Sequence, residues 1–471
     1  MRPSADELST ADNDVSTFRS LMNTTTKWPA ELANLSWCDL SSSERAAGER
    51  LLIDALGTST AARCADGIEA TLTGLGNLAQ GGVPVPWTPL RLPPPLAGLA
   101  LSALIHAWDF DDTHDDAVVH TSAIALPSAL VTALHANRDG TDVLNGVVVG
   151  VQVLSRLALA IGPRPGMIRT AGLGPLAAAA SAARTLGLDE DGIREAMALT
   201  LSTSGSPYSR QVVEDGAVNK RLQPGMAVHS GLTSAFLARA GIQGPAGWAE
   251  GGYGVLSSAG VDPRVLSAAG WDGARLSLKP YPACRYTHAA LAATAAATTD
   301  LPAEEAHDTV RHVDVHVPAG AAYELVSRPF ARRGKPVIDA QFSIPWLVAA
   351  HLITGSVDLT TIAGPTLLDD EVAESAKRVT VHQDGTGTAA MAPATVVVHH
   401  ADGSRRTATE PMPGSPEHPL DDVALAAKTA ACARVGGHDP DRTVAAVAEF
   451  VARLPSLSPA DLHEAVASLG R

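Results

Sequence analysis

The chain has 471 residues, of which 45% are hydrophobic and 18% charged, with a formal net charge of −15. It is longer than one ordinary core, so a soluble globular protein of two domains is expected. The acidic balance disfavours nucleic acid and anionic membranes as partners. The four cysteines (Cys38, Cys64, Cys284, Cys432) lack the spacing of a zinc site or a disulfide framework.

Taken in order, residues 1–15 are polar and acidic and read as disordered, without the basic and apolar regions of a signal peptide. Residues 16–265 carry a helical period. Apolar runs appear at Leu51–Leu56, Ala62–Leu75, Leu96–Trp108, Val118–Ala136, Val143–Ile161 and Gly172–Leu186, and Asp189 opens another helix that runs through Leu201. The most apolar stretch, Leu144–Ile161, contains Gln152, Ser155 and Arg156, so no membrane span is expected and the location is read as cytoplasmic. Glycine and serine accumulate from Ala249 to Gly270, and the period then changes. Over residues 270–415, Val310–Val317 and Val379–Val381 alternate as strands, and Asp402-Gly403 between Thr395–His399 and Arg405–Thr409 marks a hairpin. Helices Tyr286–Thr298 and Ile344–Leu352 intervene. Residues 420–471 are helical again and are expected to rejoin the first domain. The fold class expected is mainly α: a large helical domain built from both chain ends, plus a smaller α+β lid.

The densest chemistry lies between His106 and His120, which holds five aspartates (Asp109, Asp111, Asp112, Asp115, Asp116) and three histidines (His106, His114, His120). Apolar helices flank it, so these carboxylates are costly unless paired, hydrogen-bonded or used. Three readings compete. One is a solvated acidic loop. A second is a magnesium and diphosphate site, since Asp111 to Asp115 matches the DDxxD pattern of terpenoid synthases; an aromatic content of only 4% counts against it. The third is acid–base chemistry, with Asp109 and Thr113 on one helical face and His120 at a helix entrance, where the dipole lowers its pKa and welcomes an anion.

Cation usage is a separate signal, read against chance placement of two surface lysines. There are six lysines against 29 arginines, and only Lys220 and Lys279 fall between Trp28 and Gly334. A lysine in an arginine-preferring chain suits a task that needs a compact ammonium able to give up a proton.

Four segments together resemble the MmgE/PrpD family. They are His-Ala-Trp-Asp-Phe-Asp-Asp-Thr-His from His106, followed by Val-His-Thr-Ser-Ala; Lys220-Arg221-Leu-Gln-Pro-Gly-Met-Ala; Lys279-Pro-Tyr-Pro-Ala-Cys284-Arg-Tyr-Thr-His288; and Ala340-Gln-Phe-Ser-Ile-Pro345. The resemblance implies a helical body with an α+β lid, usually a homodimer, and a site between the two that uses no metal or other cofactor. It places Asp109, Thr113, His120, Lys220 and Lys279 in catalysis. It also points to Tyr323 as a lid residue, and Arg221, Arg169 and His288 are taken with it as substrate-binding. Family members often carry Gly-Phe-His-Pro-Thr before an Ala-rich helix; here the stretch reads Gly166-Met-Ile-Arg-Thr170, with Ile168 at the histidine position. The expected partner is a small di- or tricarboxylate. The reaction favoured from the sequence is loss of water, as in 2-methylcitrate dehydratase. The alternatives are decarboxylation, epimerisation, the magnesium enzyme, and a non-catalytic binding protein.

Overall fold

The computed structural model describes residues 27–469, apart from 204–208, 258–260, 300, 302–307, 334–335 and 385–390. The stretch read as disordered, 1–15, lies outside the described residues.

Small side chains set the architecture of the larger core. Its helices are α1 (Ser42–Ser59), α2 (Ile68–Leu78), α3 (Pro94–Ile105), α4 (Ser122–Ala136), α5 (Gly140–Ile161), α6 (Arg169–Thr185), α7 (Glu190–Leu199) and α8 (Gln223–Arg239). Helix α5 packs between α4 and α6, α6 against α8, and α8 against α3. A Cβ at Gly150 of α5 would stand 2.8 Å from the Ala125 Cβ of α4, and one at Gly231 of α8 would stand 2.4 Å from the Ala178 Cβ of α6. Any larger side chain at these positions would force the helices apart. Helix α5 is long and apolar enough to cross a membrane, but it is almost wholly enclosed by protein, as the central helix of a soluble core is. It starts at Asp139, whose carboxylate accepts from Asp142 N, and stops at Gly162, where φ is +67°.

Further elements, beside shorter helical turns, include β1 (Thr113–His114), β2 (Leu276–Ser277), α9 (His288–Thr298), β3 (Val310–Pro318), α10 (Ile344–Thr354), β4 (Val379–Asp384), β5 (Ala394–His400), β6 (Arg405–Glu410), α11 (Asp422–Val435), α12 (Pro440–Arg453) and α13 (Pro459–Ser468). A four-stranded sheet runs in the order β4-β3-β5-β6, with β3 and β4 parallel and the other pairs antiparallel. The β5–β6 hairpin turns at Asp402-Gly403, with Gly403 at a φ of +86°. One sheet face buries Val313, Val315, Val396 and Val398 with Ala290, Ala293, Ile344 and Val348 of α9 and α10, forming a second hydrophobic core. Helix α11 packs on α1, joined there by the Lys428–Asp54 ion pair (2.6 Å). His463 of α13 approaches the Leu134 carbonyl of α4 at 2.8 Å. The chain is therefore mainly helical.

Two boundaries depart from the apolar runs for physical reasons. Helix α3 ends at Ile105 rather than Trp108, because the backbone turns at His106 and enters the left-handed region at Asp109 (φ +53°). Helix α4 begins at Ser122 with Thr121 at its N-cap, as the capping residues Thr121 and Ser122 predict, and not at Val118, where the apolar run starts, because Val118 is also left-handed (φ +50°).

Candidate active site

The acid-rich segment is interior. Asp109, Asp111 and Asp112 are 3%, 0% and 0% exposed, and each carboxylate meets a different partner. Asp112 caps α4, accepting from Thr121 N (3.0 Å), Thr121 Oγ1 (2.7 Å) and Ser122 N (2.9 Å). Asp111 faces His106 Nδ1 at 2.9 Å. Asp109 lies between two ammoniums, with Lys279 Nζ 2.7 Å from Oδ1 and Lys220 Nζ 3.0 Å from Oδ2. Burial alone pushes the Asp109 carboxyl up, but Lys220 and Lys279 outweigh it and hold the group well below the carboxylate range. For Asp111 and Asp112 burial wins, and both are raised.

Lys279 reaches Asp109 because β1 and β2 pair, with Thr113 opposite Ser277. The prolines flanking Tyr281 then stiffen the chain beyond Lys279. Its ammonium also donates to the Asp109 carbonyl at 2.8 Å, which helps to hold a non-glycine residue in a strained conformation.

Two imidazoles complete the cluster, their ring centroids 4.7 Å apart. Burial first, then the Lys220 ammonium, lowers His106 well below its usual value. The neutral ring has its tautomer set by its neighbours: Nδ1–H donates to Asp111, and Nε2 accepts from Lys220 Nζ at 3.0 Å. His120 is lowered by burial to about 3. Its Nδ1–H donates to the Asp112 carbonyl at 2.9 Å, which leaves the Nε2 lone pair available; Asp109 Oδ1 is 3.8 Å from it.

These groups line one side of a cavity of about 830 Å³. Of the residues singled out in the sequence, Asp109, Thr113, His120, Lys220 and Arg169 stand on its wall. The Thr113 hydroxyl is buried and has no hydrogen-bond partner among the described residues. Arg169 opens α6; among the described residues its one hydrogen bond is to the Ala158 carbonyl at 3.5 Å and it has no acidic partner. The adjacent Thr170 Oγ1 accepts from His120 N at 3.1 Å, so the start of α6 and the imidazole are neighbours.

Four of the expected residues are elsewhere. Lys279 is fully buried behind Asp109 and does not reach the cavity. Arg221 is also buried; it stacks over Trp108 and donates to the Asp66 carbonyl, because two cations adjacent in sequence point apart. His288 is enclosed in the first turn of α9, with Nε2 3.2 Å from the Ala283 carbonyl. Tyr323 packs on the second core and is not among the cavity-lining residues.

The wall includes groups that the sequence reading did not assign. Arg285 grips Asp115 with two hydrogen bonds (2.9 and 2.7 Å), and Tyr286, Arg210, Cys284 and Phe342 also line the wall. Cys284, Arg285 and Tyr286 belong to the Lys279 motif and Phe342 to the Ala340 motif, but neither motif marked them as lining a site, and no sequence motif contained Arg210.

The magnesium reading fails on geometry. Asp111 turns to His106, Asp112 caps a helix and Asp115 is held by Arg285, so no pair of these carboxylates converges on a cation. Donor atoms of His106, Asp109, Asp111 and His120 do lie within 4.8 Å of one another. Two ammoniums already occupy Asp109, however, and one of them bonds His106, so a further cation there would be repelled.

The arrangement suits an anion with ionisable neighbours: cations at the wall, an orphan hydroxyl, and an imidazole that can exchange a proton. Two family models match the chain, the MmgE/PrpD N-terminal domain over residues 31–264 and the MmgE/PrpD C-terminal domain over residues 281–452. Among curated proteins the chain is similar to the cis-aconitate decarboxylase of Homo sapiens, 32% identical over 288 residues and covering 57% of each chain. It is 29% identical over 313 residues to the Mus musculus enzyme of the same name, covering 61% of each. It is 26% identical over 368 residues to that of Aspergillus terreus, covering 70% of this chain and 72% of the fungal one. The match thus spans about three-fifths of the human and mouse proteins.

Proposed function

Because this chain belongs to the MmgE/PrpD family, we propose that it is a lyase that removes CO₂ from a small unsaturated polycarboxylate of the cis-aconitate kind. The dehydratase reaction favoured from the sequence gives way to decarboxylation, since the relatives described above carry that name. The observation that carries the reading is a single wall that holds a neutral imidazole with an available Nε2, a guanidinium without an acidic partner among the described residues, and a buried hydroxyl likewise without a partner among them.

Arg169 and the start of α6 would take one substrate carboxylate, combining a guanidinium with a helix N-terminus. Lys220 and the Thr113 hydroxyl would hold another. Each substrate carboxylate entering beside His120 favours its protonated form, so a ring kept neutral in the empty cavity gains a proton as the polyanion binds. When the C–C bond to the departing carboxylate breaks, its electron pair shifts along the double bond to the carbon beside a retained carboxylate. The cations stabilise that developing charge. His120 then delivers its proton to that carbon, and CO₂ and a dicarboxylate leave.

The test is incubation with cis-aconitate in D₂O, following CO₂ release and the product by NMR. One deuterium per product, in step with CO₂, is expected. No CO₂ from cis-aconitate, together with loss of water from 2-methylcitrate, would return the assignment to a dehydratase.

A further inference from the structure

We infer that the substrate carries an apolar arm beside its carboxylates; this rests on the polycarboxylate reading and narrows its substrate class. A cavity of about 830 Å³ is of the size that encloses a drug-sized ligand. A six-carbon polyacid would fill only a small part of it. Charged groups beyond His120, Lys220 and Arg169 also stand on the wall, Arg210 and Arg285 among them, but a large part of the lining is apolar, with Leu159, Met167, Ile168, Leu325, Met391 and Met412 among its residues.

This wall is a built surface. Ile168, Leu325 and Met391 pack against the second core and Met412 is part of it, so their side chains are supported from behind. Three of the chain's seven methionines stand on this one cavity. Methionine gives an adaptable apolar surface suited to a flexible hydrocarbon. Apolar area left facing water in a concave site marks a place for an apolar partner. The position is also informative. Ile168 and Arg169 are consecutive, so apolar and cationic recognition lie side by side at the start of α6, next to the residue that contacts His120. An arm attached near a carboxylate bound at Arg169 would run along Ile168 towards the methionines.

The experiment measures kcat/KM for CO₂ release from cis-aconitates bearing linear alkyl chains of increasing length. About a fourfold rise per added methylene is expected until the wall is filled, from the transfer free energy of a CH₂ group. Met391→Gln, a substitution of similar length at a partly buried position, should flatten that rise, with an unchanged urea midpoint showing that the variant is folded. Release from cis-aconitate that falls as the chain lengthens would overturn the arm and leave the decarboxylase reading intact. If no member of the series is turned over, that reading is lost, and calorimetric binding of alkylsuccinates still decides the arm. Affinity that climbs with chain length supports it, and affinity independent of length overturns it.

Discussion

Replacing Lys279 by methionine tests whether the cluster is held together by buried charge pairing. Lys279 is 0% exposed, and its ammonium makes two hydrogen bonds to Asp109, at 2.7 Å to the carboxylate and 2.8 Å to the carbonyl. Hydrogen bonds to a charged group contribute about 1.5–3 kcal/mol each. Deleting one partner of a buried ion pair costs about 3–5 kcal/mol. The two routes agree on a loss of about 3–5 kcal/mol, a large fraction of a typical stability of about 5–15 kcal/mol. Lys279→Met should therefore lower the urea midpoint strongly, read by tryptophan fluorescence, since Trp108 adjoins Asp109. Combining it with Asp109→Asn removes the orphaned charge, so the double variant should be more stable than the sum of the single losses predicts, by about 2 kcal/mol or more. Additive losses, or a cost below about 1 kcal/mol for Lys279→Met, would refute the pairing argument and leave Lys279 free for a direct part in the chemistry.

Other outcomes follow from the same geometry. His120→Asn should cut turnover by about 10²–10⁴-fold, the usual contribution of a positioned acid or base, while the urea midpoint at neutral pH stays close to the parent value. Because burial lowers His120 to about 3 in the folded protein, against about 6.5 unfolded, the unfolded chain binds the extra proton first, and stability should fall as pH drops from about 6.5 towards 3. His120→Asn should remove that part of the acid dependence in pH-resolved unfolding curves. Calorimetry of dicarboxylate binding in buffers of different ionisation enthalpy should show proton uptake that vanishes in the same variant. Arg169→Met should raise KM more than it lowers kcat, as loss of uniform binding does, and an unchanged KM would remove Arg169 from the substrate site. Dialysis against EDTA should leave turnover intact, because the donor cluster around Asp109 is already bonded to ammoniums.

Much of the site was legible because its parts are rare residue types in fixed local company. Lysine scarcity singled out Lys220 and Lys279, and the two meet on the opposite oxygens of Asp109 although 59 residues separate them. The sheet was legible from the period-2 valines and the Asp-Gly turn. What stayed hidden is direction. The sequence does not say that Lys279 supports Asp109 from behind, nor that Arg221 turns away from its neighbour to meet Trp108. Those outcomes depend on the β1–β2 pairing and on the left-handed turn at Asp109, both set by tertiary contacts. Arg285 escaped assignment for the same reason, since its partner Asp115 lies 170 residues earlier.

An acidic protein that binds an acidic substrate has to keep its own carboxylates from repelling the ligand. Here the interior aspartates are spent on fixed partners: Asp112 on main-chain donors, Asp111 on a neutral imidazole and Asp109 on two lysines. Asp109 and its two ammoniums form a trio with one excess positive charge in a chain of net charge −15, set against the buried Asp111 carboxyl, which lies within 4.8 Å of Asp109. Arg169, which has no acidic partner among the described residues, adds a further positive charge on the same cavity wall. The aspartates then act as supports: they fix where the ammoniums and the imidazole stand and leave part of the cationic charge uncompensated. Neutralising Asp109 would therefore leave more positive charge at the site and yet give a poorer one, because Lys220 and Lys279 would lose the carboxylate that holds both in place.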